Sequence, residues 1–363
     1  MNPLLTAKRL GQSLWLDNLS RTLIEEGALE RLIEEDGVSG VTSNPAIFLK
    51  AISQSPYYRD DIVRLKAQNI DAETLYEALV IPDIQAACDL LLKEYHRTQA
   101  EDGYVSLEVS PALAHDAKAT LKAGLRLKAA VNRANLLIKV PATKAGIVAI
   151  ESLIAAGCSV NVTLMFGLTH VREVALAYQK GLEQWVAQGG EPKAIKSVAS
   201  LFLSRVDTLV DKKLESIGGS ALTLCGKTGI ALAKLAYSQY EEATQSKAFS
   251  ALKAQGARPQ TMLWASTGTK NPAYSDVMYV ENLIGPNTIN TLPDATLEAF
   301  RDHGQAHLRL NEDMPSCHTH WKKLQDLGID MNAVAQSLQQ DGLAQFEQAF
   351  SQLMIQLEGS LKG

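Results

Sequence analysis

Lys139 is the side chain best placed for covalent chemistry in this 363-residue sequence. It follows Leu136, Leu137 and Ile138 and precedes Val140 and Pro141, a run that reads as a buried strand. Enclosing an ammonium among apolar neighbours disfavours its charged form. More free amine is then available, and that is the nucleophile that condenses with a carbonyl to give a Schiff base. The competing reading is a strand lysine that snorkels to solvent, and periodicity alone does not separate the two. Glu108, inside Val105-Ser-Leu-Glu-Val-Ser110, and Asp17, ending Leu14-Trp-Leu-Asp17, are carboxylates set in apolar strands. Such groups either pair with cations or move protons, and each taken alone reads as an ion-pair partner. Asn44 and Asn161 offer amides for substrate hydroxyls, or simple turn chemistry at a strand end. Thr163, Ser200 and Ser266 add hydroxyls.

These residues share one expected location, the carboxyl end of a strand. Short apolar runs at 13–17, 40–44, 104–109, 136–140, 158–163, 196–200, 261–266 and 277–281 read as eight strands. Helical periodicity lies between them, as in Leu113, Ala117, Leu121 and Leu125, and Thr143 reads as the N-cap of a helix ending near Gly157. Strand–helix alternation with near-continuous apolar strands predicts an α/β fold with a parallel sheet, and eight units predict a closed (β/α)8 TIM barrel. In that fold the carboxyl ends of the strands form the active-site face. Two intervals are long, from Asn44 to Glu108 and from Ser200 to Ser266. Both hold extra helical sequence, including 71–95 and 226–249, and only helical patterns follow from about Leu292 to the pattern 343–357. With no Pro/Gly/Ser linker in view, residues 1–363 read as a single domain.

Composition narrows the function classes. Lys+Arg is 35 and Asp+Glu is 40, a net charge of −5, which argues against nucleic acid or an anionic membrane as the main partner. Any bound phosphate needs a local cluster of cations. Cys88, Cys158, Cys225 and Cys317 are far apart, no secretion signal or membrane span is evident, and a reducing cytoplasm is expected. Gly226-Lys-Thr228 lacks the upstream glycine of a P-loop, since that position is Ala221. His303, His307, Cys317, His318 and His320 cluster near the C-terminus, but 309–315 is charged and loop-like and no zinc spacing is met. The cluster reads as a solvated surface, and no metal is expected.

The motifs, taken in order, resemble the transaldolase family. Gly40-Val-Thr-Ser-Asn-Pro45, Val105-Ser-Leu-Glu-Val109, Leu137-Ile-Lys-Val140, Asn161-Val-Thr-Leu-Met-Phe166, Ser200-Leu-Phe-Leu-Ser-Arg205 and Trp264-Ala-Ser-Thr-Gly-Thr-Lys-Asn-Pro272 carry the likeness, from about residue 12 to the C-terminal helices. It implies that Lys139 forms the Schiff base with a donor ketose, and that Asp17 takes the C4 hydroxyl proton during cleavage and returns it to the acceptor. Glu108, through a water that Thr163 helps to hold, then handles proton transfers of carbinolamine formation and breakdown. Asn44 and Asn161 hold the dihydroxyacetone hydroxyls, Ser200 and Phe202 lie at the substrate, and Arg205 with Ser266 and a nearby cation binds the phosphate. The protonated imine is the electron sink, so no cofactor is implied.

In one branch of the family an arginine stands two residues after the serine matched by Ser266. Here that residue is Gly268, and Lys270 is the candidate for the second cation. The implied reaction moves a dihydroxyacetone unit from sedoheptulose 7-phosphate to glyceraldehyde 3-phosphate in the pentose phosphate pathway, giving erythrose 4-phosphate and fructose 6-phosphate. One rival is a fructose 6-phosphate aldolase, shorter and with tyrosine at the position of Phe202. The other is a sugar-phosphate-binding protein without turnover. Phe202 and the chain length favour transfer, and the presence of Lys139, Glu108 and Asp17 favours catalysis. Monomer and homodimer are both left open.

Overall fold

The computed structural model describes residues 2–362, apart from the side chain of Lys362. Eight parallel strands close into a barrel in the order β1 to β8, with β1 pairing β8: β1 Gln12–Leu16, β2 Gly40–Val41, β3 Tyr104–Glu108, β4 Leu136–Pro141, β5 Val160–Met165, β6 Ser197–Phe202, β7 Thr261–Ala265 and β8 Thr288–Leu292. Helices surround it, so nearly every strand residue is buried. This explains the continuous apolar runs, because a parallel barrel is covered on its outer face and filled with side chains within.

The eighth strand is a correction. The run 277–281 is the short helix Met278–Glu281, and the barrel closes instead with Thr288-Ile-Asn-Thr-Leu292. A four- to five-residue apolar run does not distinguish a buried helical turn from a buried strand; Met278, Tyr279 and Val280 are all buried. The real strand was disguised by Thr288, Asn290 and Thr291. Its boundaries were nevertheless marked, by Gly285-Pro286 and the left-handed Asn287 (φ 57°) before it and Pro293 after it. β2 is also shorter than the run 40–44. Pro45 starts the next helix, Pro45–Gln54, and Asn44 caps it by accepting a hydrogen bond from the Ile47 N–H at 3.0 Å.

Both long intervals contain extra helices. The first holds Pro45–Gln54, Arg59–Lys66 and Ala72–Arg97, and the second holds Ser204–Ile217, Thr228–Gln245 and Lys247–Lys253. Thr143 caps the helix Lys144–Ala155 through the Gly146 N–H at 2.9 Å. The floor of the barrel is packed by Trp15, wholly buried, with its indole N–H donating to Asp102 at 2.9 Å. Its ring lies against Gly40, where a Cβ atom would come within 2.4 Å of the indole, so the β1–β2 approach requires glycine there. A final helix, Met331–Lys362, packs against the helices Pro45–Gln54 and Ala72–Arg97 and against β5.

Candidate active site

The carboxyl ends of the strands open into a cavity of about 680 Å³, counting its open mouth. Asp17, Asn44, Lys139, Thr163, Ser200, Phe202, Arg205, Ser266 and Lys270 line it, so the barrel gathers nine of the eleven residues singled out from sequence. Glu108 and Asn161 do not line the cavity but stand on either side of Lys139, in register with it on β3 and β5. The expected position at the strand end holds for Asp17, Asn44, Glu108 and Ser266. It is corrected for Lys139, Asn161, Thr163 and Ser200, which sit inside β4, β5, β5 and β6 respectively. Strand tilt and a register shift in β5 between Val162 and Met165 set the height of each residue in the barrel, and sequence position alone does not reveal either.

Lys139 is 4% exposed. Its Nζ lies 3.1 Å from Glu108 Oε2 and donates to the Ser43 carbonyl at 2.9 Å. β3 and β4 pair Glu108 with Lys139 in register, which fixes the two side chains side by side. Burial pushes the Glu108 carboxyl above the usual carboxylate range, although Lys139 opposes the shift. Glu108 is therefore well placed to take the ammonium proton and release the amine. Asp17 is shifted the same way: its enclosure outweighs the pull of Lys139 and of the Thr42 hydroxyl, which donates to it at 2.8 Å. Two carboxyls inclined to hold or exchange protons thus flank one amine.

Asn161, in register with Lys139, donates to Ser106 Oγ at 3.0 Å and accepts from Ser200 Oγ at 2.7 Å. The three form a polar belt inside the barrel that reaches the cavity at Ser200. Thr163 Oγ1 is buried and has no hydrogen-bond partner among the described residues. Asn44 spends its amide oxygen on the helix cap, so the turn-chemistry reading accounts for half of that side chain.

Arg205 is the second residue of the helix Ser204–Ile217. Although Asp207 and Asp211 lie on the same helix, Arg205 forms an ion pair with neither. Asp207 accepts from the Gly229 N–H and the Tyr279 hydroxyl, and Asp211 from the Gly226 N–H and the Tyr274 hydroxyl. Arg205 has no ion-pair partner among the described residues and lies 5.8 Å from the centroid of the Phe202 ring. Ser266 adopts a left-handed backbone (φ 54°), and its hydroxyl is 2.8 Å from that of Ser204. Such a conformation is costly outside glycine and concentrates at functional sites. Lys270, exposed at the mouth, approaches Gly268 and influences Asp17. Three cations, Lys139, Arg205 and Lys270, thus line a cavity whose own carboxylate is Asp17, in a chain of net charge −5.

The histidine–cysteine cluster is partly a correction, because Cys317 and His320 are buried and not solvated. His320 Nε2 meets the Thr228 hydroxyl at 3.0 Å, and His303 turns outward to Asp276 and Asp302. No group of three His, Cys, Asp or Glu side chains able to hold a metal occurs among the described residues.

Sequence reasoning missed Ser43, Thr42, Thr291 and Phe346. Ser43 acts through its carbonyl, which has no side-chain signature. Phe346 comes from the final helix, whose pattern showed amphipathicity but not that it crosses the barrel mouth.

The family model described as Transaldolase/Fructose-6-phosphate aldolase matches residues 14–357. The chain belongs to the transaldolase family. A transaldolase of Thiobacillus denitrificans is 52% identical over 358 residues, covering 98% of this chain and all of that protein. One of Neisseria gonorrhoeae is 47% identical, again with 98% of this chain and all of the relative covered. A transaldolase of Mycolicibacterium smegmatis is 46% identical over 99% of this chain and 98% of its own length. This is therefore a transaldolase-family enzyme with a (β/α)8 barrel. No helix among the described residues is long and apolar enough to cross a membrane.

Proposed function

We propose that the enzyme transfers a dihydroxyacetone unit between sugar phosphates through a Schiff base on Lys139, with sedoheptulose 7-phosphate as donor and glyceraldehyde 3-phosphate as acceptor. The products are erythrose 4-phosphate and fructose 6-phosphate. The observation that carries this reading is the buried Lys139 amine held against Glu108 at 3.1 Å and the Ser43 carbonyl at 2.9 Å, at the active-site end of the barrel.

The amine adds to the donor ketone, and loss of water through Glu108 gives the protonated imine. Asp17 takes the C4 hydroxyl proton, the C3–C4 bond breaks, and its electron pair moves into the imine to form an enamine. The first aldose leaves and the second enters. The enamine carbon attacks the new aldehyde, Asp17 returns its proton to the oxygen, and water hydrolyses the imine. Thr163, buried and without a protein partner, fits the role of holding that water. Asn44 and Asn161 take the dihydroxyacetone hydroxyls, Asn161 within the belt it forms with Ser106 and Ser200. Arg205, Ser266 and Lys270 take the phosphate, with charge-assisted bonds from the guanidinium the strongest of the set. The imine supplies the electrophile, and the reaction as written needs no metal. We place the enzyme in the cytoplasm as a single domain.

Phe202 supports transfer over simple aldolysis, since a ring without a hydroxyl offers no proton to the enamine. The test is a transfer assay from fructose 6-phosphate to erythrose 4-phosphate. Wild type should form sedoheptulose 7-phosphate, and Lys139→Ala and Lys139→Arg should not, because a guanidinium stays protonated. Full activity in Lys139→Ala would overturn the proposal.

A further inference from the structure

The final helix, Met331–Lys362, places one side chain per turn on the barrel mouth. Gln339, Gly342, Phe346 and Phe350 recur at helical spacing, and the same stripe continues into the wholly buried Leu353 and Leu357. Each makes a separate attachment. The Gln339 side-chain amide donates to the Ala142 carbonyl at 2.8 Å and the Leu164 carbonyl at 3.0 Å, just past the end of β4 and near the end of β5. Leu164 is itself left-handed, φ 56°, at the register shift in β5. Gly342 lets the helix come close: a Cβ there would stand 3.0 Å from the Leu164 side chain and 3.5 Å from the Arg205 guanidinium. Phe350 packs edge-on against Tyr76, with ring centroids 5.5 Å apart. Between these anchors Phe346 faces the cavity with its ring centroid 5.7 Å from Lys139 Nζ.

We propose that Phe346 is a specificity-determining residue that makes the bound three-carbon unit wait for an aldehyde instead of being released. The inference rests on the Schiff-base reading. The enamine has two fates. It attacks an aldehyde and forms a carbon–carbon bond, or its carbon takes a proton and one water hydrolyses the resulting imine to free dihydroxyacetone and the Lys139 amine. Either fate ends with one water hydrolysing the imine, so the two differ in what reaches the enamine carbon, and a side chain that keeps water and other proton donors from that carbon suppresses the second. The Phe346 ring does this by setting an apolar surface 5.7 Å from the Lys139 Nζ, where no proton donor can then stand. Phe202 covers the cavity from β6. Phe346 covers it from a different element, and Gln339 fixes that element directly to the ends of the lysine's own strand, β4, and of its neighbour β5.

The experiment measures dihydroxyacetone released from fructose 6-phosphate without acceptor, as a ratio to the transfer rate with erythrose 4-phosphate. Phe346→Ala should raise this ratio roughly tenfold, less than the roughly 10²–10⁴-fold worth of a positioned acid because the water admitted is not positioned, while borohydride still traps an adduct on Lys139. Phe346→Leu, which restores apolar cover, should bring the ratio most of the way back. If Phe346→Ala does not fold by circular dichroism, Phe346→Gln is read by the same criterion. An unchanged ratio in a folded variant that still forms the adduct overturns the inference. Absence of an adduct in the wild type would instead overturn the Schiff-base reading on which it rests.

Discussion

At the scale of single residues, the site is a set of charges whose burial sets their behaviour. Glu108 and Asp17 both have pKa values raised by burial, which suits groups that must pick up and return a proton within one cycle. Glu108→Gln and Asp17→Asn should each slow transfer by roughly 10²–10⁴-fold, the usual worth of a positioned acid or base. The two variants should differ in where they stop: Asp17→Asn should still accumulate a borohydride-trapped adduct, because imine formation precedes the step it serves. A folded Asp17→Asn variant with no adduct would remove Asp17 from that role. Arg205 is free of Asp207 and Asp211 and open to an anion. Arg205→Ala should lose roughly 1.5–3 kcal/mol of binding to fructose 6-phosphate and little of any weaker activity on fructose. Equal losses on both sugars would mean that the arginine supports the fold. The same comparison on Lys270→Ala decides whether that exposed lysine replaces the arginine absent at Gly268.

At the scale of elements, seven strands were legible because each is an apolar run broken by turn residues. The eighth was not, because its outward face carries Thr288 and Asn290 while the apolar run before it forms a helical turn. That Lys139, Glu108 and Asp17 lie in apolar strands around one end of a barrel could be read from strand context, while the roles proposed for them came from the family resemblance. What could not be read was contact between distant segments: the Ser43 carbonyl on Lys139, the clamps from Tyr274 and Tyr279 that engage Asp211 and Asp207, and the final helix over the mouth. These depend on where a loop or helix is carried, and local periodicity holds no record of that. The strands also impose steric demands away from the site. Gly40→Ala would drive a methyl group into the Trp15 indole. It should destabilise the barrel by about 1–3 kcal/mol, the usual cost of overpacking. Urea unfolding followed by tryptophan fluorescence measures this, and an unchanged midpoint would show that the β1–β2 approach has room to spare.

At the scale of the whole molecule, the active site works against stability. A carboxyl whose folded pKa is raised makes the native state bind more protons than the unfolded chain, so stability falls as pH rises from the ordinary aspartate value of 3.8 toward the folded value. Asp17→Asn removes that penalty. It should unfold at higher urea than wild type at neutral pH, and the difference should vanish below the ordinary value, where both proteins carry a neutral side chain. A difference that grows in acid would reverse the sign assigned to Asp17. Three cations, Lys139, Arg205 and Lys270, line this cavity in a chain of net charge −5, and a bound phosphate would require such a local cluster. All of this presumes that the reaction runs through one amine. The direct measurement is borohydride reduction in the presence of fructose 6-phosphate, followed by intact-mass analysis and peptide mapping. One reduced three-carbon unit per chain, on the peptide containing Lys139 and absent from Lys139→Ala, is the predicted result; an adduct on another lysine, or none in active wild-type enzyme, would contradict it.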